Sequence, residues 1–240
     1  MDNNNNLLTN YGISACPAVR EITLPLPSKI RISDDKELCL VSCGSQMEER
    51  VNILSKTPHL ETYKDFIREV CGNASFFLCE RSIKLAEYIS CRKIDYGFYY
   101  KFRTQMYKTD AFSSSLTGET DFLGEIDKII REQKKLLPED NLESWLLYEA
   151  KTICAVKEGK LAGFIVLFQY YGQFVINSIY VQEQFRGGGV GTELLKYASN
   201  FVCLNGCGHF WGMSPYRAKH FYSALDIESS AGWILWKKTA

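Results

Sequence analysis

The sequence predicts an α/β fold whose sheet is mixed but mainly antiparallel, with helices on its faces. Three observations carry that expectation. Thr152–Val156 and Leu161–Tyr170 are apolar runs separated by the turn Lys157-Glu158-Gly159-Lys160, which signals a hairpin. The strand-like Phe174–Val181 is followed by a run packed with glycine, then by Leu194, Leu195, Tyr197, Ala198, Phe201 and Val202 at helical spacing. That helix leads to another short strand, His209–Met213, so the connection crosses over and brings two strands together in parallel. Glu119–Leu137 supplies the third: a strongly amphipathic helix with acids at its start and Lys134 and Lys135 at its end, as the macrodipole favours.

The remaining elements follow in chain order. Residues 1–27 read as an irregular segment, an Asn run followed by Pro17, Pro25 and Pro27. Residues 28–94 read as an α/β region: a strand over Glu37–Ser42, helices over Met47–Leu54 and Tyr63–Val70, then strands over Ala74–Cys79 and Ile83–Ser90. Tyr96–Tyr107 is an aromatic strand, Pro138 ends the amphipathic helix, and Asn141 is placed to cap a short helix over Leu142–Glu149. Gly232–Lys237 reads as the last strand.

Composition narrows the function classes. With 28 basic and 28 acidic residues, nothing suggests a dominant attraction to nucleic acid or anionic lipid. No stretch reaches the ~20 apolar residues of a membrane span, and the start Met1-Asp2-Asn3-Asn4 lacks a secretory pattern, so a cytoplasmic protein is expected. Nine cysteines then read as reduced, small apolar residues. The four-apart pairs Cys39/Cys43 and Cys203/Cys207 come with only three histidines and no CxxC, so no metal site is expected.

Chemistry concentrates in Arg186-Gly187-Gly188-Gly189-Val190-Gly191, between the strand and the helix. Glycines have no Cβ to shield their amides, so such a loop can turn its N–H groups on an anion, with the helix dipole behind them. It lacks the Lys-Ser/Thr ending of a P-loop, and its spacing does not fit the dinucleotide fingerprint. A plain tight turn would use glycine too.

The run from Val181 to Leu195 resembles the acetyl-CoA signature of the GNAT acetyltransferase superfamily: Arg186 opens it, and Gly189 and Gly191 fill its two small positions. Arg217-Ala218-Lys219-His220-Phe221-Tyr222 resembles the family's last helix, although Pro215 stands where Asn is common and Asp226-Ile227 where Gly-Phe is common. The resemblance covers residues 95–240. It implies acetyl-CoA as co-substrate, with no metal, and an amine acceptor, small molecule or protein. It places the pyrophosphate on Arg186, Gly187, Gly188, Gly189, Val190, Gly191 and Thr192, the pantetheine arm along Ile179 and Val181, and Tyr222 as the phenol that assists thiolate departure. The strand before the loop carries Asn177, Ser178 and Tyr180 but no carboxylate, so no general base is assigned. His209 and His220 have suitable reference pKa values but unsuitable positions.

Two other classes stand beside the enzyme. One is a CoA-binding sensor or interaction module of the same fold with weak or no catalysis. The other, a nucleotide-phosphate binder, lacks a strand-borne carboxylate for ribose or magnesium. Residues 28–94 are either a degenerate tandem copy of the domain or a family-specific extension. Acceptor identity and oligomeric state are left open by the sequence.

Overall fold

The computed structural model describes residues 29–108, 122–133 and 150–239, apart from 36, 46–47, 56–58, 73, 171–172, 224 and 226. The irregular segment 1–27 and the expected helix 142–149 lie outside the described residues. The chain divides into two compact units: residues 1–100, 214–223 and 229–240, and residues 101–213 and 224–228.

In the first unit, β1 (Lys29–Ile32), β2 (Leu38–Ser45) and β3 (Glu48–Ser55) run antiparallel. A 3-10 turn at Glu61–Tyr63 and helix α1 (Lys64–Cys71) then cross over to β4 (Phe76–Glu80), which pairs parallel to β3. The chain's last strand, β10 (Glu228–Lys238), enters between β4 and β5 (Cys91–Arg103), giving the order β1-β2-β3-β4-β10-β5. β10 is antiparallel to β4, with Ile234 opposite Cys79. Leu38, Leu40, Val51, Ile53, Ile67, Phe77 and Leu85 form the core of this unit.

Two expectations fail here. The helix expected over Met47–Leu54 is, from Glu48 onward, the strand β3: the Met47/Val51/Leu54 spacing mimics a helical face, but Val51, Asn52 and Ile53 are all fully buried. A strand flanked on both edges and covered on both faces loses the alternation that would mark it. Ile83–Ser90 is no strand but a turn with a 3-10 stretch at Leu85–Glu87, and its Ile83, Leu85 and Tyr88 enter the core as single anchors.

The second unit follows the expected plan closely. β6 (Lys151–Lys157) and β7 (Lys160–Tyr170) form the hairpin, and Glu158 and Gly159 adopt positive φ at its tip. β8 (Gln173–Val181) pairs antiparallel to β7, and α3 (Val190–Leu204) crosses over to β9 (His209–Pro215), parallel to β8. Helix α2 (Leu123–Gln133), the described part of the amphipathic helix expected over Glu119–Leu137, buries Ile126 and Ile130 against Cys154, Phe164 and Val166. Both units therefore repeat one succession: three antiparallel strands, a crossover helix, a parallel strand. The sheet is mixed and mainly antiparallel, as the sequence predicts. No helix among the described residues is long and apolar enough to cross a membrane.

Candidate active site

The pairing of β8 sets up the second unit's site. On one side its register with β7 skips a residue: Ser178 faces Val166 and Ile176 faces Leu167, which leaves Asn177 as the extra residue of a bulge. On the other side, the ladder to β9 runs only from Phe174↔Phe210 to Ile176↔Gly212. β8 continues to Val181 beyond that ladder, so Ile179 and Val181, both half-buried, lie past its last β9 pair.

Close packing fixes the strand's end. A Cβ on Gly163 of β7 would lie 2.6 Å from the Tyr180 carbonyl oxygen and 3.3 Å from Leu194 Cδ1, so only glycine lets β8 and α3 approach this closely. Beyond Val181, a 3-10 turn at Glu183–Phe185 leads into the glycine run. Gly187 and Gly189 take φ of 75° and 77°, the left-handed region that other residues avoid. Gly189 caps α3 with no side-chain hydrogen bond, and its carbonyl accepts the Glu193 N–H at 3.0 Å. The first-turn amides of Val190, Gly191 and Thr192 therefore have no earlier turn to bond, and Gly187, Gly188 and Gly189 are exposed before them. A Cβ at Gly187 or Gly189 would meet nothing within 4 Å, so the backbone angle, not crowding, demands glycine there.

Arg186 does not simply extend toward solvent. Its Nε donates to the Val181 carbonyl at 3.1 Å, and its guanidinium lies 5.9 Å from the Tyr180 ring centroid, which ties the loop to the strand's end. The cation beside the glycines is one the sequence did not single out. Lys157 Nζ, from the β6–β7 hairpin, lies 3.9 Å from where a Cβ on Gly188 would sit. Nothing local signals that approach, because it follows from how the hairpin packs beside the loop. Glu193, in the first turn of α3, is held by Lys196 at 2.6 Å.

Tyr222 belongs to the first unit, on the short helix α4 (Lys219–Ser223). It is 5% exposed, its ring stacks on Tyr100 at 4.4 Å, and its hydroxyl shares a hydrogen bond with Ser214. Burial pushes its pKa up to about 12, with the Ser214 bond pulling the other way, so at neutral pH it is a phenol with a proton to donate. Ser214 is itself buried against β5: a Cβ on Gly97 would lie 1.8 Å from the Ser214 carbonyl oxygen.

The histidines fall where the sequence placed them. His209 opens β9 next to the Phe174↔Phe210 pair, at the opposite end of β8 from the loop, and burial followed by the charge of Lys101 lowers its pKa. His220 is exposed on α4. Among the described residues, no three His, Cys, Asp or Glu side chains converge as a metal site.

Residues 121–226 match the family model described as Acetyltransferase (GNAT) family. The matched stretch is similar to GNAT acetyltransferase domains. The chain is also similar to the thialysine N-epsilon-acetyltransferase of Mus musculus, 31% identical over 65 residues that make up 25% of this chain and 38% of the mouse protein. Among solved structures, a GCN5-related N-acetyltransferase from Kribbella flavida superposes with a TM-score of 0.64 over 93% of this chain and 96% of that one, at 11% identity. A tandem GNAT protein from the clavulanic acid biosynthesis pathway gives a TM-score of 0.55 over 98% and 95%, at 13% identity. At these identities the structures speak to fold alone, and they extend it across nearly the whole chain.

Proposed function

We propose that the protein transfers an acetyl group from acetyl-CoA to a primary amine. The observation that carries this reading is the exposed loop Gly187–Gly189 at the start of α3, with Gly187 and Gly189 held in left-handed geometry. Bare amides at a helix start suit a pyrophosphate, because they answer its charge without desolvating a lysine. Lys157 adds a positive charge at the loop's flank. Ile179 and Val181, on the strand segment past the β9 ladder, offer backbone groups for the amides of the pantetheine arm.

Acetyl-CoA supplies an activated carbonyl on a thiol leaving group. The amine's lone pair forms the new C–N bond, the C–S bond breaks, and its electron pair leaves on sulfur. Tyr222 holds a proton for that sulfur, and its raised pKa keeps the proton in place at the pH of reaction. β8 offers Asn177 and Ser178 and no carboxylate, so the amine enters as its free base and its surplus proton passes to water. The mouse relative's name points to an amine on an amino-acid side chain; the acceptor class carried over from it is a primary amine. The first unit, with the same plan but no glycine loop, is read as a degenerate copy that binds no CoA.

The test is Tyr222→Phe with acetyl transfer followed by thiol release. Turnover should drop roughly 10²–10⁴-fold while CoA affinity stays near wild type. An unchanged rate would reduce Tyr222 to a core aromatic, and tight CoA binding without transfer to any amine would favour a sensor. Stability gives a separate readout. The unfolded tyrosine ionises near pH 10.0 and the native one near 12, so native stability falls as pH rises through that window. Tyr222→Phe should flatten that part of an alkaline denaturation series.

A further inference from the structure

A surface of the first unit gathers positive charge around one exposed and two half-buried rings. Tyr96 and Tyr216 stack at 4.9 Å, and Phe98 lies 5.8 Å from Tyr216. Tyr216 is 41% exposed, one of the few large apolar side chains so placed. Three cations converge on these rings. Lys93 Nζ is 4.5 Å from the Tyr96 centroid and the Arg81 guanidinium 6.0 Å from the same ring, while Lys219 Nζ is 5.5 Å from Phe98 and 5.6 Å from Tyr216.

Among the described residues, no carboxylate forms an ion pair with any of the three. Asp95, next to Tyr96 in the chain, accepts the Tyr96 backbone N–H instead. Like charges gathered on one surface repel, and salt screens that repulsion beyond a Debye length of about 10 Å. The rings offset part of that cost, and an arriving anion would offset the rest. The surface is connected to the catalytic tyrosine. Phe98 and Tyr100 alternate along one face of β5 with ring centroids 6.3 Å apart, and Tyr100 stacks on Tyr222.

We infer that Tyr96, Phe98 and Tyr216, with Arg81, Lys93 and Lys219, form the recognition surface for the acceptor, and that the acceptor is an acidic peptide presenting its amine toward Tyr222. This rests on the acetyl-transfer reading. Several separated cations over a flat apolar floor fit a chain with more than one carboxylate and some apolar area, better than they fit a small diamine, whose charge they would repel.

Two measurements test this with the full chain. Fluorescence anisotropy compares a labelled amine-bearing peptide rich in Glu with its Gln and Lys counterparts, on wild type and on the double variant Lys93→Gln/Lys219→Gln. Both lysines are exposed, so the variant should fold. Wild type should bind the Glu peptide about tenfold more tightly than the Gln peptide, and the double variant should erase most of that preference, as should salt near 1 M. Thiol release at saturating acetyl-CoA should show the same Glu-over-Gln preference in kcat/KM for wild type, and the ratio should fall toward one in the variant. Equal binding of all three peptides, or a Glu preference that survives in the variant, overturns the inference. Binding of a labelled oligonucleotide in place of the Glu peptide also overturns it and assigns the surface to nucleic acid. Glu-peptide binding without any acetyl transfer would leave the surface standing and sink the acetyl-transfer reading instead.

Discussion

The two crossover connections of this chain solve one topological problem with different residues. Between β3 and α1 the sequence is Lys-Thr-Pro-His-Leu-Glu-Thr-Tyr, with no glycine. The described part enters α1 through Leu60 and Tyr63 at φ of −104° and −105°, and Glu61 and Asp65 give that helix start an acidic first turn. Between β8 and α3, three glycines stand in a row and two of them take positive φ. Both connections deliver a parallel strand. The first therefore serves as an internal control: a crossover in this fold needs no glycine loop. The glycines of the second serve its left-handed turn but are not required by a crossover as such, and the proposed anion at the helix start uses both their geometry and their exposure. α1 spans only eight residues and its start is already answered by carboxylates, so it offers an anion little.

The strongest way to break that comparison is Gly189→Glu. The variant places a Cβ where φ is 77° and a carboxylate at the anion site. It should weaken CoA binding on the order of 100-fold by calorimetry, from strain and lost amide contacts together. Affinity within threefold of wild type would mean that the loop is only a turn. Next comes Gly163→Ala, whose methyl would meet the Tyr180 carbonyl oxygen at 2.6 Å. Forcing β7 away from β8 should cost about 2 kcal/mol in urea unfolding. Since that contact also sets the end of β8, CoA affinity should fall as well.

Lys157→Met sharpens the assignment of charge. A roughly tenfold loss of CoA affinity is expected, the scale of a charge-assisted contact, with no loss for an acetylated pantetheine that lacks phosphates. Equal losses for both ligands would mean that Lys157 holds the loop rather than the phosphate. The smallest effect expected is none: His59→Ala, at an exposed position in the first connection, should leave CoA affinity unchanged, and a clear loss would place CoA at the other crossover.

How much of this was legible follows from how local each signal is. The β6–β7 hairpin, the β8–loop–α3 succession and β9 could be read because their periodicity and turn residues sit side by side in the chain. β3 could not, because Asn52 is buried between Val51 and Ile53 and the strand shows no alternation. The short aromatic helix with Tyr222 was legible as a resemblance, whereas its support was not. Gly97 sits more than 100 residues before Ser214, and nothing in either neighbourhood announces that the two backbones meet. Lys157 was read as one residue of a turn. Its nearness to Gly188 is a property of packing, as is the gathering of Arg81, Lys93 and Lys219 from three separate segments.

The place of β10 has a consequence for how this protein is made. Trp233–Lys237 pair with Phe76–Glu80, so β4 receives its second neighbour from residues synthesised about 150 positions later. At ribosomal speeds of roughly 5–20 residues per second, that edge waits on the order of 10–30 s for its partner. Throughout that interval β4, an almost wholly apolar strand (Phe76-Phe77-Leu78-Cys79), has one row of backbone donors and acceptors open to any other nascent chain. Closure of that edge therefore waits on Glu228–Lys238, and a chain cut before Gly232 leaves β4 without the strand that pairs with Phe76–Glu80.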